Sequence, residues 1–247
     1  MSQLTSDPQA PTVSEELAEL MAGPPEEARG RLTLLAHRGV APAQTVLGQM
    51  LLDGFGGEAR PAEALDWFIK AAGGGEAMAY NMVGRCYENG WGVAPNLTIA
   101  AQWYRQAADR GLDWGMYNYA TRLMLGDGVA QDRQGALAWF QRAAGLGHAK
   151  SINVVGGFYE DGWEVAQNFA KARECYERAA LGGDFRGLFN LGRVRASEGD
   201  VPGAVTLFRQ AAETATPAFI AKMVAFLQGA PIAAYRDLGA ELEARAA

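Results

Sequence analysis

The same skeleton returns along this chain every 36 residues, and a repeat of that length leaves few architectures open. Gly54, Gly90, Gly126 and Gly162 fall in one column, and Gly75, Gly111, Gly147 and Gly183 in another. The alanine pairs 71/72, 107/108, 143/144 and 179/180 keep the same phase, as do Trp67, Trp103 and Trp139, with Cys175 completing that column. With 31 glycines in 247 residues, one unbroken column of four arises by chance about once in four thousand trials, and two are present. A chain of this kind stacks supersecondary modules, so its core grows by addition and its length says little about domain number.

Each module reads as two helices. In the first repeat, Leu47, Gly48 and Leu51 share a helical face. The glycine-dense stretch Asp53 to Arg60 interrupts it, and Pro61 stands at the first-turn site of a second helix. Ala64, Leu65, Phe68, Ala71 and Ala72 then keep the rhythm of a buried helical stripe. The second repeat carries Val83, Gly84, Tyr87, Trp103 and Tyr104 in these places, the third Tyr119, Ala120, Leu123, Trp139 and Phe140, and the fourth Val155, Gly156, Tyr159 and Tyr176. Asn96, Asp132 and Asn168 form a further column just before the second helix, where their side chains suit N-caps. A fifth module, Asp184 to Glu213, keeps Leu191-Gly192 and Ala211-Ala212, but its connection is four residues shorter, since Tyr176 to Phe208 is 32. Residues 1–13 read as a loose tail. Residues 14–39 read as a helical N-terminal cap, with Ser14 capping a helix over Glu15 to Met21 and a second helix over Glu26 to Arg38. The repeats occupy 40–213. A C-terminal cap over 214–247 has a helix opened by Pro217, a break at Gly229-Ala230-Pro231 and an amphipathic last helix over Ile232 to Arg245.

A formal net charge of -6 argues against nucleic acid, which needs Lys and Arg for its phosphates. The N-terminal residues are acidic and polar, and no apolar run reaches the roughly 18 residues of a membrane span. A cytoplasmic protein is expected, neither inserted in a membrane nor oligomeric. Cys86 and Cys175, on different helices two repeats apart, are expected to be reduced and buried.

The unit A-x-x-x-L-G-x-x-Y-x-x-G-x-G-V-x-x-[ND]-x-x-x-A-x-x-W-[FY]-x-x-A-A-x-x-G resembles the Sel1-like repeat, a relative of the tetratricopeptide repeat. The likeness runs from about Gln44 to Ala212. Gly92-Val93 and Gly128-Val129 keep the G-V pair, and Glu164-Val165 departs from it. The resemblance implies an all-α fold: a right-handed superhelical solenoid of about five two-helix repeats with helical caps at both ends, first helices lining a concave groove. It also implies an adaptor or scaffold, in bacterial regulation, host interaction or eukaryotic degradation complexes, and the Ala- and Gly-rich composition points to a bacterial source. The paired cysteines of the family branch linked to β-lactam chemistry are absent from this sequence.

Residues locked to the period build such a stack, and those on the groove face that break it are left to recognise a partner. The resemblance places the groove face six, three and two residues before, and one after, the Leu-Gly glycine. Met78, Trp114 and Arg186 share one of these columns. Trp114, Tyr117 and Thr121 occupy one helix face, an aromatic hot spot for a protein or peptide or else a packing contact between helices. Asn81, Asn118, Asn153 and Asn190 gather on the same face, either to hold a peptide main chain or to bond a neighbouring helix. Arg85, Arg186 and Arg193 could grip a carboxylate or stand as surface charge. His37 and His148 are the two histidines. No metal-ligand spacing, Ser-His-Asp set or phosphate loop is legible, so no catalytic residue, metal or cofactor is expected. A non-enzymatic scaffold is the expected function, with an inhibitor or immunity-type protein as the alternative and a hydrolase behind both.

Overall fold

The computed structural model describes residues 19–246. The tail over 1–13 and the Ser14 cap lie outside the described residues; of the expected first helix, Glu19 to Met21 are helical. There follow α1 (Pro25–His37), α2 (Ala41–Asp53), α3 (Pro61–Gly73), α4 (Ala77–Asn89), α5 (Leu97–Asp109), α6 (Asp113–Leu125), α7 (Arg133–Gly145), α8 (Ala149–Asp161), α9 (Phe169–Leu181), α10 (Phe185–Ser197), α11 (Val201–Thr214), α12 (Pro217–Gln228) and α13 (Ala233–Ala246). Among the described residues there is no strand. The chain forms two compact units, Met1–Gln131 and Asp132–Ala247.

In the first unit, helices start and stop where the column residues require. Asn96 Oδ1 accepts the Ile99 backbone N–H at 3.1 Å and so caps α5. Gly90, with φ 74°, takes the left-handed conformation that ends α4. Leu47, Leu51, Leu65, Phe68, Met82, Val83 and Cys86 are buried together, α2 and α3 packing on each other and on α4. Glycine sets how closely the helices pair: a Cβ on Gly84 would lie 2.6 Å from the Tyr104 ring. The second glycine of each G-x-G loop does another task. A Cβ on Gly92 would strike the Pro61 carbonyl oxygen at 2.4 Å. The α4–α5 loop therefore rests directly on the first turn of α3, and Gly56 and Gly128 rest in the same way on Pro25 and Leu97.

In the second unit, Asp132 caps α7 through Gly135 N–H at 2.8 Å and Asn168 caps α9 through Lys171 N–H at 3.0 Å. Glu164 holds φ at 56° in the column that otherwise contains the second loop glycine. The connection from α10 to α11 is a short turn, closed by Asp200 accepting from Gly203 N–H at 3.0 Å. Thr216 caps α12 at Pro217. Tyr235, Leu238 and Leu242 of α13 are buried with Phe208 of α11 and Met223 and Leu227 of α12. The greasy face expected of the last helix is thus the face it buries.

Candidate functional site

In the first unit α4 and α6, the first helices of successive repeats, lie side by side. Asn118 Nδ2 donates to Asn81 Oδ1 at 2.8 Å, and Asn81 is only 3% exposed. Thr121 donates its hydroxyl to the Tyr117 carbonyl at 2.8 Å. Met78 is half-buried against the core of α2 to α4. The Arg85 guanidinium lies 5.0 Å from the Trp91 ring centroid, and its Nη1 is 3.7 Å from Met82 Sδ. Trp114 is the member of this set most open to solvent, 39% exposed, and it meets Tyr117 edge to face with centroids 6.5 Å apart.

In the second unit the pattern recurs. Asn190 Nδ2 donates to Asn153 Oδ1 at 2.9 Å, joining α10 to α8. Asn153 is buried. The row of carboxamides expected along a groove is therefore a pair of helix-to-helix bonds, the second of the two readings set out for it. Asn81 and Asn153 lie beneath the surface because a short side chain at that column points at the next helix. Arg193 does meet a carboxylate, but one of the fold itself: Glu160 at 2.9 Å, with Asn190 Oδ1 3.2 Å away. Arg186 stacks over Phe185 at 4.5 Å.

The residue columns did not announce a further group. In the first unit the Tyr104 hydroxyl donates to the Glu88 carboxylate, which also pairs with Arg122 at 3.2 Å. In the second, the Tyr176 hydroxyl donates to Glu160, which pairs with Arg193. Burial, then the adjoining carboxylate, holds both phenols well above their ordinary range, so they remain proton donors. The signal is a 72-residue spacing nested in the shorter one: Asn81 and Asn153, Glu88 and Glu160, Trp91 and Trp163, Tyr104 and Tyr176, and Asn118 and Asn190 all keep it. The first unit also holds the apolar version, with Leu52, Phe68 and Cys86 packed in one cluster at the columns of Glu88, Tyr104 and Arg122.

Beside the second of these groups lies a cleft of 590 Å³ between α9, α10 and α12. Tyr176, Arg193, Glu160 and Glu198 form its polar side, and Phe169 and Phe226 its apolar rims. Arg173 crosses it, bonded to Glu177 and Glu198.

Both cysteines are free and buried, and burial pushes the Cys86 thiol up to about 11 and that of Cys175 up as well. His37 donates Nδ1–H to the Thr33 carbonyl at 2.8 Å in the last turn of α1, and His148 caps α8 through the Ser151 backbone N–H. Among the described residues no group of three or more His, Cys, Asp or Glu could hold a metal, and no helix is long and apolar enough to cross a membrane.

A family model for the Sel1 repeat matches residues 41–76, 77–112, 115–148 and 149–184, more than half of the chain. The fifth helix pair, α10 and α11, falls wholly outside those spans. No curated protein sequence matches the chain. Among solved structures it is similar to a Sel1 repeat protein from Oxalobacter formigenes, with TM-score 0.80 and 24% identity over 94% of this chain and 98% of that one. A protective antigen present in uropathogenic Escherichia coli strains, displaying an SLR fold, matches with TM-score 0.70 and 23% identity over 94% of this chain and 52% of that one. An immunity protein from Pseudomonas aeruginosa matches with TM-score 0.56 and 17% identity over 83% of each.

Proposed function

The chain belongs to the Sel1 repeat family, and on that premise we propose that it is a non-enzymatic scaffold holding a protein or peptide partner. Sel1 repeats mediate protein interactions. The observation that carries the reading is Trp114, 39% exposed on α6 with Tyr117 at its edge. An indole so placed keeps apolar surface in water, and covering such a ring in an interface contributes about 2 kcal/mol, the scale of a binding hot spot. Met78 and Arg186, in the same column of other repeats, offer further contact surface in their own units. The net charge of -6 favours a protein over a nucleic acid, and the buried thiols suit a reducing compartment.

The test compares the chain with its Trp114→Ala variant. Melting is expected to stay within about 2 °C, because Trp114 stands among the exposed large hydrophobic residues and not in the buried core. Proteins retained from the native lysate by the parent chain should be lost from the variant. A collapse of melting temperature would make Trp114 a packing residue and remove the reading's support. The likeness to an immunity protein favours a second reading, in which the partner is one cognate effector enzyme. Co-expression with a toxic product encoded beside this chain decides that reading: it stands if growth is rescued and falls if it is not.

A further inference from the structure

The cleft in the second unit exists because a loop is missing. In the first unit, the opening turns of α1, α3 and α5 are each covered by the loop of the following repeat. That loop approaches so closely that a Cβ on Gly56, Gly92 or Gly128 would lie 2.3, 2.4 or 2.3 Å from the carbonyl oxygen of Pro25, Pro61 or Leu97. Phe169 holds the same first-turn position on α9. The repeat that should cover it has the shortened connection, with no Gly-x-Gly-Val between Ser197 and Asp200. Phe169 is accordingly 65% exposed, against 37% for Leu97. Phe226, 43% exposed, supplies the facing wall.

We propose that this cleft is a docking site for a protein partner that presents a Gly-x-Gly-Val-type turn, seated where the earlier repeats seat their own. The surface continues an interface that the fold builds three times over, so the occupant's chemistry can be read from those cases. Its backbone must come down on the first turn of α9, which favours glycine at the contact, as at Gly56, Gly92 and Gly128. Its aliphatic residue meets Phe169, Val194 and Phe226. It carries no strong charge, because the cleft's arginines are already matched: Arg173 with Glu177 and Glu198, and Arg193 with Glu160. This site is separate from the Trp114 surface and does not depend on it.

The probe is a cyclised peptide with the sequence of Asn89–Asn96, labelled and titrated against the full chain. Binding is expected below about 1 mM and weakened about tenfold or more by Phe169→Ala, whose exposed ring leaves the core untouched. Alanine in place of the glycine corresponding to Gly92 should weaken binding about tenfold or more. A variant whose α10–α11 turn is lengthened by four residues to restore Gly-x-Gly-Val should fill its own cleft and bind no peptide. Trp114→Ala should bind the peptide as the parent does, so loss of the scaffold reading and loss of this one are told apart. No binding at about 1 mM, or equal binding by the alanine peptide, by Phe169→Ala or by the lengthened chain, would overturn the proposal.

Discussion

Glu164 holds a backbone angle that Gly56, Gly92 and Gly128 hold in the other repeats, φ 56° against 74°, 73° and 78°. An L side chain in that region is strained by about 1–2 kcal/mol, and glycine gives part of that back as unfolded-chain entropy. Glu164→Gly is therefore expected to raise the urea-unfolding free energy by about 1 kcal/mol; a loss of stability would show that the carboxylate makes a compensating contact. Asp184 carries a cost of another kind, the burial of a carboxyl. It is buried as the N-cap of α10, accepting from Gly187 N–H at 3.1 Å, and burial holds its carboxyl above the ordinary value despite that bond and Arg186. A raised folded-state value means that the folded chain keeps this proton better than the unfolded one. Its contribution to stability is therefore complete below the unfolded-state value and is lost as pH rises through the folded one. Asp184→Asn keeps the acceptor and removes the titration. Relative to the parent, its stability should improve steadily as pH rises from about 3 to about 6, and a pH-independent difference between the two would refute the assignment.

Caps and stops are legible in the sequence because they are local: an Asn or Asp three residues before the amide it accepts, a glycine where the helix turns left-handed. That is why the columns of Asn96 and Gly90 mark real helix ends. The contacts of Asn81 are not local, since its partner lies 37 residues on, and only the longer spacing betrays it. The cleft is harder still: a shortened connection can be counted in the sequence, but the helix start that it uncovers belongs to the preceding module. The polar group of Glu88, Tyr104 and Arg122 shows what a helix pair gains by such contacts. Tyr104→Phe leaves the half-buried Glu88 short of a donor and should lower stability by about 1–2 kcal/mol. The triple change Glu88→Leu, Tyr104→Phe and Arg122→Cys copies the apolar set of Leu52, Phe68 and Cys86 and should return to within about 1 kcal/mol of the parent. A triple variant worse than the single one would mean that the polar group stabilises beyond what its packing explains.

At the level of the whole chain, repeats of two kinds alternate: the one with Glu88 and Tyr104 follows the one with Leu52 and Phe68. Excising residues 113–148, a single repeat, would bring Val154 to the register of Asn118 beside Asn81, and Phe158 to that of Arg122 beside Glu88. Excising residues 77–148, two repeats, would bring Phe158 into register with Leu52 and Phe68, apolar against apolar. The longer excision should therefore melt cooperatively, and the shorter should lose several kcal/mol more than its size explains, about 3 kcal/mol of it for the Glu88 carboxylate left without Arg122. Thermal and urea melts of the two truncations settle the point, and it fails if the shorter excision is the more stable.

The nested spacing of Asn81 with Asn153 and Tyr104 with Tyr176 carries a consequence for how such a chain changes length. A copying error that adds or drops one module sets an acid against a phenyl ring, whereas one that adds or drops two leaves every neighbour matched. Growth and loss obey a parity rule, and lineages of this protein should differ by even numbers of modules.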